Sequence, residues 1–291
     1  MILITGATGN IGGRLAKRLL KDSEQIRVVS RKEEKLAELV QMGAEPIVGD
    51  LLDSDFVGKA LDGCDKAFLV VQGNVRNGQH YEEELALGEN FANALKAAGV
   101  SHAVFSGSMG AGANTGTPII DAKGEIEKML KETDLPITVL RPGNFFENMF
   151  NFLETISSGF FTYPLDGGVK TPYVSVDDIA LIAHKSFKRG PKGWEVYDLA
   201  GADDYSMRDI AVALSDKLNR MIKYVRIADE QFIEVFTGFG ISEKFCEDML
   251  AMFRYFERAD LDYDRKIVAR EFDYSPMTLE QFLPALVKMI K

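Results

Sequence analysis

The sequence predicts an α/β fold, a doubly wound parallel sheet joined to a smaller, mainly helical C-terminal region, and three observations carry that expectation. Short apolar runs alternate with helical patterns through the first half of the 291-residue chain. Each run ends on polar or glycine residues, and after Phe145 the texture changes to longer helical stretches with more aromatics. Hydrophobic residues make up 46%, enough for a sizeable core at this length.

The first run, Met1 to Thr5, reads as a buried strand and enters Gly6-Ala-Thr-Gly9-Asn-Ile-Gly12-Gly13, after which Arg14 to Lys21 reads as a helix. A strand, a glycine turn and a helix in that order are what a dinucleotide site needs. Glycines let the backbone turn tightly and approach a pyrophosphate, and the amides at the helix start offer positive dipole to an anion. The second strand is Ile26 to Ser30, and it ends on Arg31, nineteen residues after Gly12. An enzyme that prefers NAD would usually place Asp or Glu there to hold the ribose 2′-hydroxyl. Here Arg31 is followed by Lys32 and Lys35; an arginine binds a 2′-phosphate through a charge-assisted fork, so the expected cofactor is NADP(H). The alternative reading of Arg31 is a solvated loop residue beside Glu33 and Glu34.

Four further runs follow: Glu45 to Val48 before Gly49-Asp50, Lys66 to Val71 before Gln72-Gly73, Ala103 to Phe105 before Ser106-Gly107-Ser108, and Ile137 to Leu140 before Arg141-Pro142-Gly143. Ligands bind outside the carboxyl ends of such strands, so these four termini, the first turn and Arg31 are expected to line one crevice. Helices are read over Tyr81 to Ala98 and Gly124 to Glu132. Beyond Phe145, Ser206-Met-Arg-Asp209 can cap a helix through Leu218, and Thr278-Leu-Glu-Gln281 is a capping box. Phe245, Met249, Met252, Phe253 and Phe256 form an apolar stripe at helical spacing, read as core, with a lid or dimer face as the sharper alternative. The expected division is a cofactor-binding domain over 1–145 and a C-terminal substrate-binding region over 146–291, interleaved with the sheet.

The net charge of −10 is spread along the chain, −4 through Phe145 and −6 after it, so neither half offers a basic stripe for nucleic acid or anionic lipid. No apolar run approaches membrane-spanning length. Met1 to Thr5 runs into the glycine turn without a basic region or cleavage site, and Cys64 and Cys246 form no CxxC pair. With His80, His102 and His184 scattered, no metal cluster is expected. The reading is a reduced cytoplasmic protein, monomer or homodimer.

The chain resembles the NmrA-like branch of the atypical short-chain dehydrogenases/reductases. The residues that carry the likeness are Gly6-Ala-Thr-Gly9-Asn-Ile-Gly12, Arg31, Gly49-Asp50, Lys123 and Leu140-Arg-Pro-Gly-Asn-Phe-Phe-Glu-Asn148. It continues through Val174-Ser-Val-Asp-Asp178-Ile-Ala and Val196-Tyr-Asp-Leu-Ala-Gly201 to Met277-Thr-Leu-Glu-Gln-Phe282, nearly the whole chain. The resemblance implies a Rossmann domain carrying a smaller substrate region. Members include NADP(H)-dependent quinone, azo-dye and triphenylmethane-dye reductases, and cofactor-binding regulators with little catalysis. By position, Thr8, Asn10 and Ile11 would wrap the pyrophosphate, Asp50 and Leu51 the adenine, and Lys123 would orient the nicotinamide ribose; a surface lysine opening a helix is the alternative for Lys123.

One departure bears on chemistry. Reductases of the wider superfamily use Tyr-x-x-x-Lys, where the lysine lowers the phenol's pKa so that it can donate a proton as hydride arrives. Four residues before Lys123 stands Ile119. Ser106 and Ser108 can stand in the serine's usual place, but the proton relay lacks its phenol. Reducing a ketone leaves a strongly basic alkoxide, for which a placed proton donor is worth roughly two to four orders of magnitude. A quinone, azo group or cationic dye gives a stabilised product that water can protonate later, so a flat, conjugated, electron-poor acceptor is expected, with the protein supplying orientation. Phe145, Phe146 and Asn148 are the candidate substrate wall, and Tyr173 and His80 the only substitutes for a proton donor. Two other readings stand beside this one: a redox sensor that binds NADP(H) without chemistry, and a nucleotide-sugar epimerase, which would need the missing tyrosine.

Overall fold

In the computed structural model, which describes residues 1–290, the chain begins with β1 (Ile2–Ile4), α1 (Asn10–Lys21), β2 (Ile26–Ser30), α2 (Ala37–Gln41), β3 (Glu45–Val48), α3 (Ser54–Leu61) and β4 (Lys66–Val70). It continues through α4 (His80–Ala98), β5 (His102–Ser106), α5 (Pro118–Lys131), β6 (Ile137–Pro142), the short β7 (Asn144–Phe145), α6 (Leu153–Ser157), β8 (Phe160–Tyr163), β9 (Thr171–Val174) and α7 (Val176–Arg189). Last come β10 (Trp194–Leu199), β11 (Asp204–Tyr205), α8 (Met207–Leu218), β12 (Lys223–Arg226), α9 (Asp229–Gly238), α10 (Glu243–Arg258), α11 (Arg265–Glu271) and α12 (Leu279–Val287). No helix among the described residues is long and apolar enough to cross a membrane.

Seven strands form one parallel sheet in the order β10-β6-β5-β4-β1-β2-β3. The expected Rossmann-type doubly wound sheet is therefore present. The chain winds outward from β1 to β3, then returns to place β4 on the other side of β1, so the direction of winding reverses between β1 and β4. A crevice opens at such a reversal, outside the strands' carboxyl ends. Both faces of the sheet are covered, and alternate side chains go to opposite layers. Ile2, Ile4, Val28 and Phe68 pack into the layer under α1 and α7, while Leu3, Val29, Ala67 and Leu69 pack into the layer under α3, α4 and α5.

The second half of the chain is not set apart from this sheet. β10 pairs along its length with β6, and α7 packs on α1, so both belong to the sheet's layers. The rest forms a third core around Phe146, Phe161, Phe232, Phe253 and Phe282, assembled from the segment after β7, β8 and helices α8, α9, α10 and α12. The capping boxes at Ser206 and Thr278 form as the sequence predicts. In the apolar stripe of α10, Phe253 and Phe256 are buried and Met249 and Met252 pack against the third core, which is the core reading for those four; Phe245 lies outside that core.

Candidate active site

At the switch point the Thr5 hydroxyl ties β1 to β4, accepting the Val70 N–H at 2.8 Å and donating to the Phe68 carbonyl at 3.1 Å. The chain then turns through Gly6, whose φ of +62° is the left-handed region that favours glycine, and the turn closes with the Gly9 N–H on the Gly6 carbonyl at 2.9 Å. Gly12 allows α1 to lie directly on the turn: a Cβ there would overlap the Gly6 carbonyl oxygen and stand 2.9 Å from that of Thr5. Helix α1 starts from Gly9 with no side-chain cap and no acidic residue in its first turn. Its first N–H groups thus keep their donor capacity and positive dipole for a ligand.

These residues line a cleft of about 1070 Å³. It gathers Gly6, Thr8, Gly9, Asn10, Ile11 and Gly12 from the turn, Ser30 and Arg31 from the end of β2, and Asp50 and Leu51 from the end of β3. Arg31 is exposed there with Lys32 and Lys35, and among the described residues none of the three is in an ion pair; Glu33 and Glu34 do not engage Arg31. The Asp50 carboxylate accepts the Leu52 N–H at 3.1 Å, and Asn90 donates its side-chain amide to the carbonyls of Leu51 and Leu52, so this wall is braced by a residue sequence reasoning did not single out.

The opposite wall is the segment after β4, Gln72 to Arg76, with Glu83 and Leu87 of α4, Phe145, and Phe245 of α10. It is docked to the C-terminal region, because the Ser242 N–H donates to the Val75 carbonyl at 2.9 Å. Of this wall, Gln72-Gly73, Phe145 and the stripe residue Phe245 had a sequence signal; the irregular path of the loop to Arg76 leaves no periodicity to read.

Lys123 is neither at a helix start nor at the surface. It lies in the second turn of α5, buried, with Nζ 2.5 Å from Glu84 Oε2 and 3.5 Å from the Val71 carbonyl, and it does not line the cleft. Glu84 in turn accepts the Gly73 N–H at 3.4 Å, so the pair sits directly behind the cleft wall.

Four expectations need correction. Phe146 is fully buried, stacked between Tyr173 and Phe282 with centroids 5.5 and 5.2 Å away, and serves the third core instead of a substrate wall. Asn148 is exposed on the following 3-10 segment and outside the cleft lining, which leaves Phe145 as the one member of that trio in the cleft. The ends of β5 and β6 do not line the cleft either; there the Arg141 guanidinium, near the end of β6, pairs with Glu127, with Nη2 2.5 Å from Oε2. Neither substitute proton donor faces the cleft. Tyr173 is buried, its hydroxyl against Met207 Sδ at 3.9 Å and its phenol pushed to a higher pKa by burial. His80 lies behind the wall, edge-on to Phe245 at 4.8 Å and with Nε2 3.1 Å from Asp248 Oδ2, without hydrogen-bond geometry. Among the described residues, no tyrosine, histidine or cysteine lines the cleft. No group of three or more His, Cys, Asp or Glu among the described residues could hold a metal ion.

An open parallel sheet with an uncapped helix start, a glycine turn and free cations at one crevice defines a protein of the dinucleotide-binding α/β class. The chain belongs to the NmrA-like family, whose model matches residues 1–283. It is 29% identical over 250 residues to the NAD(P)H azoreductase of Xenophilus azovorans, covering 86% of this chain and 85% of that one. It is 28% identical over 254 residues to quinone oxidoreductase 2 of Escherichia coli, covering 86% of each. In fold, it superposes with a TM-score of 0.84 on that quinone oxidoreductase complexed with NADPH, at 24% identity over 99% of this chain and all of the other. The triphenylmethane reductase of a Citrobacter species gives 0.85 at 22% identity over 99% of both chains.

Proposed function

We propose that the protein is an NADP(H)-dependent oxidoreductase that passes hydride to a flat, conjugated, electron-poor acceptor, a quinone, an azo compound or a cationic dye, without a phenolic proton donor. The observation that carries this reading is the cleft. Its turn and uncapped α1 offer amides to a pyrophosphate, and Arg31, Lys32 and Lys35 wait at the end of β2 with no acidic partner. The residues fit NADP(H): Gly12 lets the start of α1 lie directly on the glycine turn, and the position that follows β2 holds Arg31 where a carboxylate would repel a 2′-phosphate. In this reading Gly6, Thr8, Gly9, Asn10, Ile11 and Gly12 hold the pyrophosphate, Arg31 the 2′-phosphate, and Asp50 and Leu51 the adenine end. Lys123, behind the wall, orients the nicotinamide ribose in this reading through the wall itself, since its pair with Glu84 holds the carboxylate that accepts the Gly73 N–H. When bound, the cofactor supplies the hydride; the relatives' names, azoreductase and quinone oxidoreductase, support that chemistry.

The cleft's lack of a phenol or imidazole supports the choice of acceptor, since only acceptors whose reduced form is stabilised can dispense with a positioned acid. A panel followed by loss of NADPH absorbance tests it. Turnover is expected with a para-quinone and an azo or triphenylmethane dye, and a rate near background with simple ketones. Tight NADPH binding with no turnover on any acceptor would mark a sensor instead, and robust ketone turnover would show that another residue supplies the proton.

A further inference from the structure

Arg76 is the residue of the cleft that the reading above leaves without a task. Its backbone N–H donates to Asn74 Oδ1 at 3.0 Å, but among the described residues its guanidinium is in no ion pair and makes no hydrogen bond. A carboxylate is close at hand on the same wall, yet Glu83 is committed elsewhere: Oε2 accepts the Asn74 N–H at 2.6 Å and Oε1 the Asn77 side-chain amide at 2.7 Å. In a chain of net charge −10, an exposed arginine left unpaired beside a satisfied glutamate is a cation held available.

Its position separates it from the cofactor's own anion sites. Arg31 follows β2 and Arg76 follows β4, with β1 between them, so the two strands lie about 10 Å apart. Arg76 points toward the C-terminal region: a Cβ on Gly240, which has a φ of +78°, would come 2.7 Å from Arg76 Nη1. The Ser242 N–H on the Val75 carbonyl holds this loop to the start of α10, and the Ser242 hydroxyl caps α10 on the Phe245 N–H at 3.2 Å. Phe245 is braced from behind by the edge-on His80 ring. The guanidinium and a flat aromatic side chain are thus carried on one connected unit of the same cleft, with Phe145 also lining it.

We infer that Arg76 sets acceptor specificity by pairing with an anionic substituent, a sulfonate or carboxylate, on a planar ring that lies along Phe145 and Phe245. This rests on the reductase reading and sharpens it, favouring anionic acceptors over cationic dyes. A guanidinium forms a two-pronged charge-assisted bond with either group and also packs against ring faces, which lysine does not reproduce.

The test compares 1,4-naphthoquinone-2-sulfonate with 1,4-naphthoquinone in the unmodified enzyme, Arg76→Gln and Arg76→Lys, with NADPH saturating. The ratio of kcat/KM for the sulfonated quinone to that for the plain one should fall about tenfold in Arg76→Gln, with a partial fall in Arg76→Lys. Working with ratios cancels the electronic effect of the sulfonate on the quinone itself. The NADPH Kd should move less than about twofold, and the melting temperature should hold because no ion pair is lost. A ratio unchanged by Arg76→Gln overturns the inference, and so does a loss of NADPH affinity, which would make Arg76 a cofactor residue. A second arm reads binding alone: naphthalene-2-sulfonate titrated calorimetrically into protein saturated with NADP+ should bind about tenfold more weakly to Arg76→Gln. If no quinone is reduced but this difference persists, the reductase reading fails and the anion site stands; if the difference is absent, the anion site fails whatever the turnover.

Discussion

Removing Glu84 should show what a buried lysine behind the cleft wall costs when its partner is gone. The side chains of Lys123 and Glu84 are 10% and 5% exposed and 2.5 Å apart, and among the described residues the other bond to Nζ is the long one to the Val71 carbonyl. Glu84→Leu therefore strands an ammonium away from water, a change that costs about 3–5 kcal/mol. For a chain of this length the unfolding entropy is about 0.6 kcal/mol per kelvin, so the melting temperature should drop by about 5–8 °C. Glu84→Gln, which keeps an acceptor, should lose less. Scanning calorimetry of Glu84→Leu, Lys123→Met and the double variant measures the coupling. The double variant should regain most of the stability, since a well-packed apolar pair replaces an ion pair at little net cost. If Lys123 also orients the nicotinamide ribose, that stable double variant still turns over NADPH at least tenfold more slowly. A Glu84→Leu protein that melts within about 1 °C of the parent would refute the buried-pair argument, and a double variant as active as the parent would make Lys123 a strut only.

Other perturbations follow from the same geometry. Arg31→Asp should reverse the preference for NADPH over NADH in fluorescence titration, with a loss of about tenfold or more for NADPH and no change in melting temperature; equal affinities in the unmodified protein would sink the assignment. Gly9 is extended, and a Cβ there would stand 3.2 Å from the Gly6 carbonyl, whereas one on Gly12 would collide with it. Gly9→Ala should therefore stay folded by circular dichroism and lose NADPH affinity, and Gly12→Ala should lose stability as well. Asp178 is buried, and its carboxyl is pushed up to about 6, first by burial and then by Asp177 and Glu147, against the Met277 N–H and Arg18. Because the folded pKa lies above the unfolded one, its contribution is fully present below about pH 4 and is lost as pH rises through 6. Asp178→Asn, which can still accept the Met277 N–H, should unfold at higher denaturant than the parent at pH 7 and match it at pH 4, by at most about 3 kcal/mol.

Strand positions were legible because the central strands bury both faces and each strand of the first half reads as a short run between turn signals; β2 and even the exposed edge strand β3 begin and end where the pattern placed them. The start of α5 was not. The helix opens at Pro118 without a side-chain cap on Thr117, and the glycine that looked like its beginning, Gly124, sits mid-helix. There a Cβ would come 2.6 Å from the Gly112 backbone, so the glycine records a close approach of helix and loop, a tertiary fact with no local signature. Phe146 misleads for a related reason. Aromatic residues after a strand end suit a ligand wall and a core equally, and the choice was made by Tyr173 and Phe282, each distant in sequence.

The same distinction divides the candidate site. Cofactor recognition, as proposed, falls to residues 6–51, where consecutive strands, turns and helices present each group from the element that immediately precedes it. Anion chemistry there needs only backbone amides and one cation, so spacing alone carries the reading. The proposed acceptor wall is assembled otherwise. Arg76, Phe145 and Phe245 come from three segments and line one cleft, with α10 docked on the loop after β4 through Ser242 and Val75. No periodicity joins them, and each residue type has a bland use elsewhere in the chain. Such a wall can also change its specificity through substitutions in one loop or one helix while the turn and Arg31 stay as they are. A chain built this way would keep its cofactor while its acceptor varies, and the identity of the acceptor must then be sought in what Arg76 and the two phenylalanines can hold.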